Sequence, residues 1–118
     1  MKLVLRISIL LLGILLAAYH IYFFVVPSVT VVNNSNSAIE NARVDLPNSG
    51  LDFGQLAKGD TNTIHYALKQ TDGEYHYQIR LTNGLILKGR CGDVTNNEVH
   101  KRLTVLVQQD RATCKNKS

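Results

Sequence analysis

Hydrophobic and polar positions follow two regimes along this chain, and they meet at Pro27. From Ile7 to Val26 the side chains are apolar or aromatic, none is charged, and Ser8 and His20 are the main polar interruptions. A helix of that length rises about 30 Å, the thickness of a bilayer's hydrocarbon layer. Beyond Pro27 the period changes to two. Apolar residues alternate with polar ones through Val29-Thr30-Val31, Ala42-Arg43-Val44-Asp45-Leu46, Ile64-His65-Tyr66-Ala67-Leu68 and Tyr75-His76-Tyr77-Gln78-Ile79-Arg80-Leu81. Leu51-Asp52-Phe53, Leu85 to Cys91 and Leu103-Thr104-Val105-Leu106-Val107 continue the pattern. Clusters such as Asn33-Asn34-Ser35-Asn36-Ser37, Pro47-Asn48-Ser49-Gly50 and Lys58-Gly59-Asp60 break these runs, as turn residues do. About seven short strands in this rhythm predict an antiparallel β-sandwich after one N-terminal transmembrane helix.

One hairpin can be tested for register. A two-residue turn at Asn83-Gly84 places Leu81, Ile79 and Tyr77 on the face of Ile86, Lys88 and Arg90, which mixes core with charge. A three-residue loop, Thr82-Asn83-Gly84, pairs Leu81 with Leu85, Ile79 with Leu87, Tyr77 with Gly89 and Tyr75 with Cys91. Both inner faces then agree, and Gly84 takes the left-handed position of a type I turn with a G1 bulge. In this register Cys91 faces inward, and His76, Arg80, Lys88 and Arg90 share the outer face.

The N-terminus has the basic start of a secretion signal, Lys2 and Arg6, but a poor small-x-small cleavage motif near Ala17-Ala18. Its apolar run also continues past that point to Val26, as an uncleaved anchor requires. Charge sets the orientation: Lys2 and Arg6 precede the span and no charge returns until Glu40, so the N-terminus stays cytoplasmic. The expected organisation is a cytoplasmic segment 1–6, a signal-anchor helix 7–26, an exported sandwich 28–110 and a tail 111–118. The expected location is the inner (cytoplasmic) membrane, with the C-terminal domain periplasmic or extracellular. Removing Lys2 and Arg6 from the 13 basic residues leaves 11 against 9 acidic, so the exported part carries only +2 and nucleic-acid binding is not implied.

Thr71-Asp72-Gly73-Glu74-Tyr75-His76-Tyr77 resembles the tyrosine corner of immunoglobulin-like sandwiches. That resemblance implies an immunoglobulin-like architecture in which the Tyr75 hydroxyl bonds to backbone just upstream. The chain departs from the family in having no Trp and no Cys at the positions of the inter-sheet disulfide. The segment Val29 to Leu46 is similar to the opening hairpin of bacterial surface sandwiches.

Two cysteines in an exported domain suggest one disulfide, Cys91 to Cys114. If residues 99–109 form a simple hairpin with 85–91, that strand ends about 25 Å from Cys91, beyond the roughly 17 Å reach of the five-residue tail to Cys114. The bridge therefore requires the last strand to cross to the other sheet or the tail to double back, and the free state stays open. The absence of C-x-x-C argues against a redox role.

Candidate chemistry is sparse. His65 and His76, on strands expected to pair, offer two metal ligands with Asp72 or Glu74 nearby, but no third close ligand, so no metal or cofactor is expected. His100-Lys101-Arg102 reads as a solvated strand start. The face of His76, Arg80, Lys88 and Arg90 is either a docking surface for an anionic partner or a solvated face that deters edge pairing. No activated nucleophile or acid–base pair stands out, so a non-enzymatic role is expected. The expected function is a membrane-proximal accessory or interaction module of the cell envelope, whose partners are the membrane and another envelope protein. The alternative is a secreted peptide- or glycan-binding sandwich released by cleavage near Ala18.

Overall fold

The computed structural model describes residues 1–117. Helix α1 (Lys2–Val25) buries none of its side chains and is long and apolar enough to cross a membrane. It projects as a rod of about 36 Å from a β-rich body, and the whole molecule measures 65 × 32 × 19 Å.

Eight strands build that body: β1 (Ser28–Asn33), β2 (Ile39–Asp45), β3 (Gly50–Leu56), β4 (Thr61–His65), β5 (Gly73–Leu81), β6 (Ile86–Val94), β7 (Arg102–Val107) and β8 (Ala112–Lys117). They form two four-stranded sheets, ordered β4-β1-β7-β8 and β3-β2-β5-β6. Alternate residues of both sheets point inward, and Val29, Val31, Val44, Tyr75, Ile79, Leu103, Val105 and Val107 form the centre of a single core.

Several expectations change. The described residues hold eight strands, not about seven, because the segment expected as the tail 111–118 contains β8; Ser118 lies outside them. The strands are not all antiparallel. β1 and β7 run parallel, with Val29 beside Leu103 and Val31 beside Val105. That register lays two apolar rows side by side, so β7 joins the sheet of β1 instead of folding back on β6. The segment 95–101 accordingly crosses from one sheet to the other. In immunoglobulin constant domains the first, second, fifth and fourth strands share a sheet. Here the first strand lies between the fourth and the seventh, so the likeness to that family stops at two facing sheets.

The β5–β6 hairpin follows the expected register. Ile79 sits opposite Leu87 and Tyr77 opposite Gly89. Leu81 N–H donates to Leu85 O at 2.9 Å, Gly84 N–H donates to Leu81 O at 3.0 Å, and Gly84 has φ +90°. Near its other end the ladder slips by one residue between Glu74 and His76, with Gly92 at φ +103°, so the expected pairing of Tyr75 with Cys91 falls on an irregularity. Both side chains still face the core.

Cys91 and Cys114 are bonded, with Cα atoms 5.5 Å apart. The bridge links β6 of one sheet to β8 of the other. It is within reach because β8 runs back along β7, placing Cys114 beside Val105 in mid-strand.

Candidate functional site

The best-developed polar constellation lies where α1 meets the sandwich. An α-helix leaves its last carbonyls without intrahelical donors, and α1 has no basic residue in its last turn and no Gly after it. The sandwich supplies the cap. Arg102 Nη2 donates to Phe23 O at 3.0 Å and to Phe24 O at 3.1 Å, and Arg102 Nη1 donates to Val26 O at 2.6 Å. His100 N–H donates to Val25 O at 2.8 Å. His100 Nδ1 lies 2.7 Å from Phe24 O. A carbonyl only accepts, so the proton of that contact resides on Nδ1. The guanidinium also places positive charge at the negative end of the helix dipole.

Packing completes the joint. The Phe24 ring stacks on His100 at 4.0 Å and 18°, and Phe23 meets the edge of His65 at 5.3 Å. Pro27 O accepts Tyr66 N–H, and Ser28 N–H donates to Lys101 O, each at 3.0 Å. His100 adopts φ +58°. This left-handed backbone, uncommon for a residue with a side chain, goes with its amide and its ring both reaching the helix end.

Beneath the joint lies a buried polar cluster. Lys101 is 8% exposed, so the expected solvated strand start at His100-Lys101-Arg102 is corrected: all three residues are engaged. Lys101 Nζ donates to Asp93 O at 2.7 Å, pairs with Glu98 Oε2 at 2.7 Å and sits 4.8 Å from the centre of the Tyr75 ring. The Tyr75 hydroxyl meets that of Tyr66 at 2.5 Å. The upstream-backbone bond implied by the tyrosine-corner resemblance is therefore replaced by a side-chain bond. Burial pushes both phenols above the ordinary tyrosine range.

The four basic residues expected on one outer face are brought together. His76 lies opposite Arg90, Gln78 opposite Lys88 and Arg80 opposite Ile86, and His76, Arg80, Lys88 and Arg90 are all exposed. The structure adds Arg43 and Asp45 from β2, paired across from Gln78 and His76. Open grooves run between these side chains. Acidic neighbours offset part of the charge: Arg43 pairs with Asp45 at 2.8 Å and Arg90 with Glu74 at 3.3 Å, both in solvent.

The expected pairing of the strands of His65 and His76 is overturned. His65 is on β4 and His76 on β5, in different sheets, because β4 pairs with β1. Among the described residues no group of three or more His, Cys, Asp or Glu side chains is placed to hold a metal ion.

The roles of Arg102 and His100 are hidden in the sequence because their partners lie far along the chain, and that of Tyr66 because it follows β4 of one sheet while its hydroxyl partner Tyr75 is on β5 of the other. A signal is present, however: a helix ending without a cap of its own needs donors from elsewhere, and His100-Lys101-Arg102 is the densest run of nitrogen donors among the basic residues of the chain.

No family model and no curated protein matches this chain. A solved structure, described as "NMR structure of the protein from Eubacterium rectale", superposes with a TM-score of 0.56 at 10% identity, covering 76% of this chain and 86% of that one. The likeness concerns the fold alone. With the two sheets and α1, it defines the class: a mostly β protein with one N-terminal helix able to span a membrane.

Proposed function

We propose that this is a single-pass membrane protein whose uncleaved helix holds a non-enzymatic interaction module at the outer face of the cytoplasmic membrane. The N-terminus is cytoplasmic, the sandwich is periplasmic or extracellular, and its partner is another envelope protein. The observation that carries this reading is the capping of α1 by His100 and Arg102. A cleavable signal is discarded and has no need of a fitted seat in the mature domain. Here the last turn of the apolar helix is seated on β7 and its preceding loop. Cleavage near Ala18 would leave Tyr19, Ile21, Tyr22 and Phe24, all exposed on α1, facing water.

The sandwich keeps the two-layer architecture of immunoglobulin-like modules, which commonly work by presenting a surface. Its best-marked surface for a partner is the face of His76, Arg80, Lys88 and Arg90, where Arg80 and Lys88 take part in none of the salt bridges among the described residues. An acidic protein face complements it. The intact mass of the native protein and crosslinking in native membranes test the proposal together. The expected result is a full-length chain including residues 1–18, crosslinked through β5 or β6 to a membrane protein. Charge reversal at Arg80, Lys88 and Arg90 should abolish that crosslink. A native mass lacking residues 1–18 would instead favour the secreted binding domain.

A further inference from the structure

Resting on the anchor reading, we propose that the helix-proximal end of the sandwich is itself a bilayer-contact surface. Val99 enters the interface, and His65, Lys69, His100 and Arg102 face anionic phospholipid headgroups around it. The depth of the helix is the first argument. Arg6 is the last charge before the sandwich, and α1 from there to Val25 rises about 29 Å, close to the hydrocarbon thickness of a bilayer. With Arg6 at one boundary, the other falls on the turn that His100 and Arg102 cap. The cap and its surroundings therefore lie at headgroup level.

The second argument is composition at that level. Beyond α1, the exposed large apolar side chains among the described residues are Leu85, Ile86 and Val99. Leu85 and Ile86 adjoin the far hairpin turn. Val99 is 55% exposed, and the next residue donates its amide to Val25 O, so it sits beside the end of the span. Its loop is firmly held. Val99 N–H donates to Asn97 O at 2.9 Å, Asn97 N–H to Leu68 O at 2.9 Å, and Thr95 N–H to Glu98 Oε1 at 2.7 Å. Among the described residues, Asn97 and His100 are the two other than Gly with positive φ, both at 58°. A polar loop free of constraint has no need of this geometry to leave a valine in water.

Charge gives the third argument. His65 and His100 contact Phe23 and Phe24, Arg102 caps the same turn, and exposed Lys69 follows Leu68 in the loop bonded to Asn97. Glu98, the nearby acid, is neutralised by Lys101. The two cations at this depth, Lys69 and Arg102, favour an anionic lipid surface, and His65 and His100 offer ring N–H groups to its phosphates.

The chain contains no Trp, so one introduced residue reports alone. Full-length Val99→Trp protein is reconstituted into vesicles of phosphatidylcholine and phosphatidylglycerol, with acyl chains brominated near the headgroup in a parallel set. The expected result is blue-shifted emission that brominated lipid quenches, whereas Leu85→Trp emits as in water and is not quenched. Quenching of the Val99→Trp protein should grow with the phosphatidylglycerol fraction, and adding Lys69→Gln should weaken that growth. If the protein resists alkaline extraction yet the Val99→Trp indole is as water-exposed as that of Leu85→Trp, the contact surface is overturned and the anchor stands. Protein stripped by alkali overturns both. Quenching that ignores the phosphatidylglycerol fraction would overturn the role of charge.

Discussion

Arg102 concentrates more long-range bonding than any other single side chain in the joint. Its guanidinium reaches three carbonyls of the last helical turn and of Val26, plus Lys101 O at 3.2 Å. Arg102→Ala removes the donor to Phe23 O and Val26 O, while Phe24 O keeps His100 Nδ1 and Lys101 O keeps Ser28 N–H. Hydrogen bonds to a charged group contribute about 1.5–3 kcal/mol, so unfolding of the detergent-solubilised protein should become easier by about 2 kcal/mol. Arg102→Lys should restore little, because a compact ammonium cannot span carbonyls that the fork bridges. A denaturation midpoint equal to wild type for Arg102→Lys would contradict this account. A second residue-scale prediction concerns pH. Burial raises the pKa of Tyr75 and Tyr66 above the ordinary 10.0, so the unfolded chain loses these protons first. Below pH 10.0 both states are protonated and stability is complete; above it the native state holds more protons and stability declines. The decline should approach roughly 1.4 kcal/mol per pH unit for each phenol. Replacing both with Phe should flatten the alkaline limb in a urea titration repeated from neutral pH to about pH 11. Little of this is legible in the sequence. Tyr75 reads as an inward residue, and it is buried, but its hydroxyl partner Tyr66 reads only as a member of an alternating run. Nothing local to either tyrosine announces the bond, because the chain between them leaves one sheet and enters the other.

Elements are legible where local chemistry determines them. The β5–β6 register follows from one glycine and two matching apolar rows, so face and turn constrain each other. β8 escapes for the opposite reason. Ala112-Thr113-Cys114-Lys115-Asn116-Lys117 is a mostly polar edge strand, and its apolar contribution is little more than Ala112 and Cys114 against the core. β7 shows its inward face clearly, but periodicity carries no information about which neighbour a strand will choose. The parallel pairing with β1 is a contact between opposite ends of the sandwich sequence. The Cys91–Cys114 bridge links β6 to β8 and closes a sequence separation of 23. In chain-entropy terms a loop of that size stabilises by about 3 kcal/mol. A Cys91→Ala/Cys114→Ala variant, or the reduced protein, should lose about that much in chemical denaturation. Since both cysteines pack in or against the core, a loss below ~1 kcal/mol would mean that the unfolded state is already restricted.

At the scale of the whole molecule, rod and sandwich form one piece. Only Val26 and Pro27 separate α1 from β1; both are buried, and the carbonyl of each is bonded to the sandwich. A Gly/Ser linker would let the domain tumble independently over the membrane. Here backbone, guanidinium and two aromatic contacts all oppose that motion, so any rotation or tilt of α1 must carry the sandwich with it. In the proposed membrane setting this would fix which face looks sideways toward a neighbour and which looks down at lipid. Pulsed spin-label distances between Ala18 on α1 and Leu85 at the far hairpin test the coupling in lipid nanodiscs. The wild-type joint should give one narrow distribution. A combined His100→Gly/Arg102→Ala variant, in which the left-handed backbone is retained without strain while the cap is lost, should give a broad one. If both proteins give equally broad distances, the joint does not hold the domain. The oriented presentation proposed for the basic face would then lose its physical basis.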